Sequence, residues 1–445
     1  MKSAYWQKWN KLYRQELIEN IMPFWLKYGL DKKHGGVYTC LDRDGSLMDT
    51  TKSVWFQGRF GWMCAYAYNH VKKDKKWLAA SLSCCEFLEK YCFDKDGRAF
   101  FEITEDGVGL RKRRYVFSEC FAAIAYAEYA LASGDKAWAE KAVELFKRIR
   151  KFVAGGKKWM PSKYTDALKA QGHSLTMILI NVANVLKQVS DDPVFDEQIT
   201  ESIDLLEKYF IHPEFKALLE TVGPNGEFID TLSGRVINPG HCIETSWFLM
   251  DVAVDREDPA LLRTALKILD WSWSWGWDKK YGGIISFKDC RNLPPQCYEQ
   301  DMKFWWPQCE TIIATAYAYK LTGDAKYMKR HKLASEWAWK HLKDRKFPEW
   351  YGYLHYDGTV ANTLKGNIFK GPFHIPRMFL LLERMDEMAA KGQIATQYVD
   401  LDGKATSDVH FNPNDSLYAI EGITSPDGRV FGKMGHSERI GSGLY

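Results

Sequence analysis

The sequence predicts an all-α protein: an (α/α)6 barrel with short β-hairpins at one rim, plus a small, irregular, β-rich C-terminal tail. Three observations lead there. First, apolar residues recur at helical spacing through about twelve segments. Second, the segments alternate in kind. Odd ones are amphipathic and charged, as in AWAEKAVELFKRIRKF (137–152), and even ones are apolar nearly all round, as in SLTMILINVANVL (174–186). A helix that is apolar on every side is buried, so inner helices alternate with outer ones. Third, WMCAYAYNHVKKDKKW (62–77), AIAYAEYALASGDKAWAEKA (123–142) and TIIATAYAYKLTGDAKYMKR (311–330) repeat one pattern. Each is an Ala/Tyr-rich helix, a polar turn and a new amphipathic helix.

Outer helices are expected at 4–28, 75–93, 135–153, 194–210, 258–275 and 324–344. Inner helices are expected at 51–72, 115–133, 172–189, 241–254, 304–322 and 373–391, where small residues let neighbours approach closely. The outer-to-inner links carry β-prone runs around Gly or Asp-Gly turns. These are GGVYTCLDRDGSL (35–47), GRAFFEITEDGVGL (97–110), GEFIDTLSGRVI (226–237), YGGIISFKDC (281–290) and WYGYLHYDGTV (350–360). They are expected to cluster over the mouth formed by the N-terminal ends of the inner helices. Helical periodicity stops after Gly392, so residues 1–391 form the barrel domain and 392–445 a separate tail.

Bulk properties narrow the function. Hydrophobic residues make up 46% and charged residues 27% of the 445, which is ordinary for a globular protein. A net charge of +4 gives no electrostatic case for nucleic acid or an anionic membrane as partner. No apolar run approaches the ~20 residues of a membrane helix. The charged N-terminus MKSAYWQKWNKLYRQELIEN has no signal-peptide core, so a cytoplasmic location is expected. Most of the ten cysteines sit in apolar helical patterns and none forms C-x2-C, which predicts buried free thiols and no metal site. Aromatic content is high, 15% with 18 Trp. Flat sugar faces stack on such rings, but an aromatic-rich core also accounts for them.

The inner helices open on residues unlike their apolar remainders. VWFQGRF gives Trp55 and Arg59, RYVFSECF gives Tyr115 and Glu119, and the sixth helix opens near His173. NPGHCIETSW gives His241 and Glu244, FWWPQCET gives Trp305, Trp306 and Glu310, and KGPFHIPR gives His374 and Arg377. A single His or Glu at a helix start is usually a cap or a surface group. Recurrence at one topological position is the stronger signal, because in such a barrel these ends converge. His241 and Glu244 are i, i+3 and share a helix face, so Glu244 is expected to fix the tautomer of His241. Two histidines across a pocket suit removal of a proton beside a carbonyl by one and its return on the other face by the second. Arg59 suits the enolate oxygen that develops between these steps.

At these residues the chain resembles the N-acylglucosamine 2-epimerase family, whose mammalian members are also called renin-binding proteins. The resemblance spans about 1–391 and rests on VWFQGRFGWMCAYAYN, FSECFAAIAYAEYALASGD, NPGHCIETSW, FWWPQCETIIATAYAYKLTGD and KGPFHIPRMFLLL. It implies an (α/α)6 barrel and interconversion of N-acetylglucosamine and N-acetylmannosamine by ring opening and two-histidine exchange at C2. His241, His374, Arg59, Glu244 and Glu310 match the catalytic positions. Trp55, Tyr115, His173, Trp305 and Trp306 are expected to contact substrate. The resemblance implies a homodimer and no required metal or redox cofactor. It also admits ATP as an allosteric activator, although AGGKKWMPSKY (154–164) is no P-loop. Related cellobiose epimerases carry a histidine within M-H-L-L-E in the sixth helix. Here GHSLTMILIN places His173 earlier, which argues against cellobiose. Alternatives are a mannose or cellobiose epimerase or isomerase on the same barrel, an (α/α)6 glycoside hydrolase using Glu244 and Glu310, and a binding protein.

The tail has its own resemblance. FNPNDSLYAIEGITSPDGRVFGKMGHSER (411–439) is similar to the end of the glutaminase domain of phosphoribosylformylglycinamidine synthase. His436 and Glu438 match the His and Glu of its triad, but no cysteine lies in Gly-x-Cys-x-Gly. The tail is therefore expected to be a non-catalytic, fusion-like fragment.

Overall fold

The computed structural model describes residues 4–161, 169–390, 394–399, 401, 420–424 and 431–433. Among them every expected helix is present, with ends displaced by a few residues. The first, α1 (Ala4–Gln15), continues to Gly29 through the wider turns Glu16–Ile21 and Trp25–Gly29. It is followed by α2 (Val54–His70), α3 (Lys75–Tyr91), α4 (Phe117–Ser133) and α5 (Lys136–Ala154). Next come α6 (His173–Leu186), α7 (Val194–Leu205), α8 (Pro239–Asp255) and α9 (Pro259–Gly276). The last three are α10 (Trp305–Thr322), α11 (Ala325–His341) and α12 (His374–Ala390).

Contacts follow the alternation. The apolar helices α2, α4, α6, α8, α10 and α12 each touch the next, and α12 returns to α2, which closes a ring. Each charged helix packs outside one member: α1 on α12, α3 on α2, α5 on α4, α7 on α6, α9 on α8 and α11 on α10. Close approach needs small residues. A Cβ on Gly58 of α2 would lie 2.4 Å from the Phe121 carbonyl carbon of α4.

At the far end of the ring the repeated Gly-Asp pairs stop one helix and start another. Gly134 and Gly323 adopt left-handed conformations after α4 and α10. Asp135 and Asp324 then accept from Ala137 N and Lys326 N as N-caps of α5 and α11.

The near rim is built differently. After several outer helices the chain folds back through a short bridge: Leu30 with Val37, Phe93 with Ala99, Trp277 with Ile284, Lys343 with Trp350. Side chains from the inner helices grip these bridges. The Gln57 amide accepts from Val37 N at 2.8 Å and donates to Val37 O at 2.9 Å. Gln308 does the same to Ile284, at 2.8 and 2.7 Å. Glu119 accepts from Ala99 N at 2.9 Å and from Arg98 Nε at 2.6 Å, so it braces the rim rather than serving a pocket. Buried lysines complete the rim: Lys52 donates to Asp31 at 2.7 Å, Lys303 to Asp278 at 2.6 Å and Lys365 to Asp344 at 2.8 Å.

Short antiparallel strands precede the inner helices. Lys52–Ser53 pairs with Glu102–Ile103, and Lys303–Phe304 with Tyr353–Leu354. Two hairpin signals resolve otherwise than expected. Val236–Ile237, from the run 226–237, pairs with Lys288–Asp289 from the run 281–290. Neighbouring loops on the rim select the partner, which local turn chemistry does not encode.

The aromatic excess is divided between roles. Trp6, Trp25 and Trp350 are fully buried core residues, whereas others line a cavity described below. All ten cysteines are free. No described helix is long and apolar enough to cross a membrane. In the tail, Ile394–Gln397, Ile420–Thr424 and Phe431–Lys433 form a three-stranded antiparallel sheet. His436 and Glu438 lie outside the described residues.

One core histidine makes the fold pH-sensitive. His331 is fully buried, 2.8 Å from Tyr5 Oη and 3.3 Å from Tyr13 Oη, and burial pushes its pKa down to about 3. The unfolded chain takes up this proton near pH 6.5, so stability present above that pH is lost as pH falls from 6.5 toward 3. His331→Gln is expected to flatten this loss by one proton, measured as urea-unfolding free energy against pH.

Candidate active site

The ring encloses a cavity of about 390 Å³ at the N-terminal ends of the inner helices. All six inner helices contribute: Trp55 and Arg59 from α2, Phe121 from α4, Asn181 from α6, and His241 and Glu244 from α8. Trp305 and Trp306 come from α10, and His374 and Arg377 from α12. Trp306 stands beside both histidines, its ring centroid 5.1 Å from His241 and 5.9 Å from His374. A larger groove of about 590 Å³ between Trp271, Trp275 and Tyr356 is elsewhere on the surface and carries no pair of histidines.

Each histidine is backed by its own glutamate. His241 Nδ1 lies 2.8 Å from Glu220 Oε1, and His374 Nδ1 lies 2.7 Å from Glu310 Oε1. Carboxylates accept, so both Nδ1 atoms are donors and the Nε2 atoms are left for chemistry. The two glutamates differ in their company. Glu310 also accepts from Arg377 Nη2 at 2.6 Å and from Trp247 Nε1 at 2.9 Å, which offsets its charge. Among the described residues no Lys or Arg pairs with Glu220.

The histidines shift in opposite directions. Burial lowers the pKa of His241, but the charge and hydrogen bond of Glu220 outweigh it, with help from Glu244 and Glu310, and the net shift is upward. His374 is held well below the ordinary range by burial and by the charges of Arg377 and Arg59. His374 is thus a free base near neutral pH, and His241 keeps its proton to higher pH than an ordinary imidazole. A titratable pair pushed apart in this way is chemically able to divide the work of an acid and a base.

Arg59 is a buried cation with aromatic walls. Its guanidinium carbon lies 4.0 Å from the Phe121 centroid, 4.7 Å from Phe373 and 5.1 Å from Trp55. Among the described residues no carboxylate pairs with it. Burial and the charge of Arg377 push its pKa down to about 9, so it remains protonated at neutral pH. A negative charge developing in the cavity therefore meets an uncommitted cation.

Several expected residues fall elsewhere. Glu244 lines the cavity but does not hydrogen-bond His241; its Oε1 accepts from Arg377 Nη2 at 2.6 Å, and Glu220 takes the place foreseen for it. Glu310 is fully buried behind His374. His173 has no exposed surface and does not reach the cavity; its Nε2 lies 2.9 Å from Thr245 Oγ1. Tyr115 sits outside the lining, its ring 6.0 Å from Trp55 and 4.8 Å from Phe117. Ligating atoms of Glu244, Glu310 and His374 converge as for a metal, but the Arg377 guanidinium already supplies the cation between the two carboxylates. Glu220 escaped the sequence reading because it lies outside any inner helix. The signal was present: one acid inside the apolar run ALLETV must be buried and paired.

Residues 36–373 match the N-acylglucosamine 2-epimerase family. The N-acylglucosamine 2-epimerase of Rattus norvegicus is 32% identical over 392 residues, covering 85% of this chain and 92% of the rat protein. Two solved structures have the same fold. The cellobiose 2-epimerase of Bacillus thermoamylovorans B4167 superposes with a TM-score of 0.75 at 21% identity, covering 85% of this chain and 100% of that one. A D-mannose isomerase does so with a TM-score of 0.72 at 18% identity, covering 87% and 100%. Residues 378–445 match a CobB/CobQ-like glutamine amidotransferase domain, in line with the resemblance noted for the tail. The chain belongs to the N-acylglucosamine 2-epimerase family and is an isomerase of the sugar-epimerase type.

Arg377 is the cation between two buried carboxylates. Arg377→Gln is expected to cost about 3–5 kcal/mol in urea unfolding, because removing one partner leaves buried charge uncompensated.

Proposed function

We propose that this protein interconverts N-acetyl-D-glucosamine and N-acetyl-D-mannosamine on an (α/α)6 barrel. The observation that carries this reading is the pair of glutamate-backed histidines, shifted in opposite directions, facing one cavity beside an uncommitted arginine. With the sugar in its open form, Nε2 of neutral His374 takes the C2 proton. Charge moves to the carbonyl oxygen, where Arg59 stabilises it. Nε2–H of His241 returns a proton to the opposite face, which inverts C2. His374 is then charged and His241 neutral, and exchange with solvent resets them. Protons and electrons balance without an oxidant or reductant. Trp55, Trp305 and Trp306 supply faces on which the sugar stacks. The family's named activity supports the N-acetylamino sugars as substrates. Ile178 in the cavity wall, within TMILIN, also fits a substrate other than cellobiose.

Incubating N-acetylmannosamine with the protein in heavy water is expected to place deuterium at C2; no incorporation would sink the proposal. His241→Ala and His374→Ala are each expected to slow epimerisation by about 10²–10⁴-fold with unchanged thermal unfolding. N-acetylmannosamine, mannose and cellobiose compared by NMR identify the substrate. The pH profile should be bell-shaped. Activity falls on the acid side when His374 gains a proton, below its ordinary 6.5, and on the alkaline side when His241 loses one, above 6.5.

A further inference from the structure

We propose that Glu220 is a positioning residue for this reaction: it holds the proton of His241 on Nδ1, and so decides that Nε2 is the atom able both to accept and to return the C2 proton. The proposal rests on the two-histidine reading above.

Glu220 is fixed through its backbone. Its N–H donates to Val236 O at 3.2 Å, in the strand leading to α8, and its carbonyl accepts from His173 N at 3.0 Å, at the start of α6. The carboxylate is thereby pinned between the two helices. Oε1 lies 2.8 Å from His241 Nδ1 and 3.6 Å from His173 Nδ1.

The neighbours decide which histidine donates. Thr245 Oγ1 donates its single proton to the His241 carbonyl at 2.8 Å. The same oxygen lies 2.9 Å from His173 Nε2 and therefore accepts there. Neutral His173 thus carries its proton on Nε2 and turns a lone pair, not a donor, toward Glu220. Burial, acting against the pull of Glu220, lowers the pKa of His173 and keeps it neutral. The carboxylate is left to His241.

A rival hydrogen bond is in place. The Asn238 side-chain nitrogen lies 3.1 Å from His241 Nδ1, and Asn238 Oδ1 caps α8 by accepting from His241 N at 3.2 Å. Without the Glu220 carboxylate, the Asn238 amide donates to Nδ1 and drives the imidazole proton to Nε2. That tautomer cannot accept a proton from the cavity. Other charges act on His241: Glu244 on its own helix, Glu310 from α10, His374 from α12 and buried His173 from α6, while Arg377 and Arg59 line the same cavity. Among the described residues only Glu220 hydrogen-bonds it through a carboxylate.

The consequence separates exchange from inversion. In Glu220→Gln, His374 still removes and returns the C2 proton of the epimer that faces it, while His241 no longer completes inversion. In heavy water the full-length variant is expected to incorporate deuterium into one epimer without inverting it. Epimerisation should fall by about 10–100-fold with KM nearly unchanged, and the alkaline limb of kcat/KM should move down in pH. If exchange and inversion fall in proportion from both epimers and the limb stays in place, the proposal is overturned. Absence of exchange in the wild type would instead overturn the two-histidine reading itself. A second measurement needs no variant. Imidazole ¹⁵N spectra of the wild-type chain at alkaline pH should show neutral His241 protonated on Nδ1, and a proton on Nε2 would refute the assignment.

Discussion

Among the described residues four lysines have no access to water, and one of them, Lys370, ends on Glu349. Lys52, Lys303 and Lys365 each end on an aspartate just past the preceding outer helix: Asp31, Asp278 and Asp344. A buried ammonium tolerates few arrangements, because desolvation is recovered only with a carboxylate and further acceptors in place. Gly35 O and Glu105 O serve Lys52, Tyr356 O serves Lys303, and Glu349 O serves Lys365. Each set joins the close of one outer helix to the approach of the next inner one. The first turns of α2 and α10 follow Lys52 and Lys303 by two residues. Trp55, Arg59, Trp305 and Trp306 inherit their positions from those ion pairs.

Within that frame, one imidazole and one carboxylate are used twice with opposite results. Glu220 and Glu310 make hydrogen bonds of nearly equal length to their histidines, 2.8 and 2.7 Å. Only Glu310 shares its oxygen with a guanidinium. The difference in histidine basicity therefore comes from the neighbours of the carboxylate, not from the dyad. Arg377 acts on both sides, neutralising Glu310 and Glu244 while repelling a proton on His374.

The helices were legible because their periodicity is carried by many residues at once, and the convergence of Arg59, His241, Glu244, Trp305, Trp306 and His374 followed from their common place at helix starts. The pairing of these side chains was less accessible. Glu244 and His241 share a helix face, yet Arg377, 133 residues away in sequence, claims the carboxylate. Glu220 reaches His241 from 21 residues upstream, across a rim whose strand pairing depends on neighbouring loops. His173 and Glu119 also open inner helices, but Glu119 braces the rim and the His173 ring turns to Thr245 of α8. Position along a helix fixed depth in the ring; it did not fix direction around the helix axis.

The two ends of the ring are held by different kinds of force. The near rim depends on contacts between distant residues, whereas the far end is assembled from short local signals, a left-handed glycine followed by a capping aspartate. A Cβ at Gly134 or Gly323 meets nothing within 4 Å. The ring of helices therefore has a mechanical polarity. Loops at the far end form a seam that can be lengthened, cut or joined to another domain without disturbing the cavity mouth, while the same change at the near rim would reach the cavity through a buried lysine.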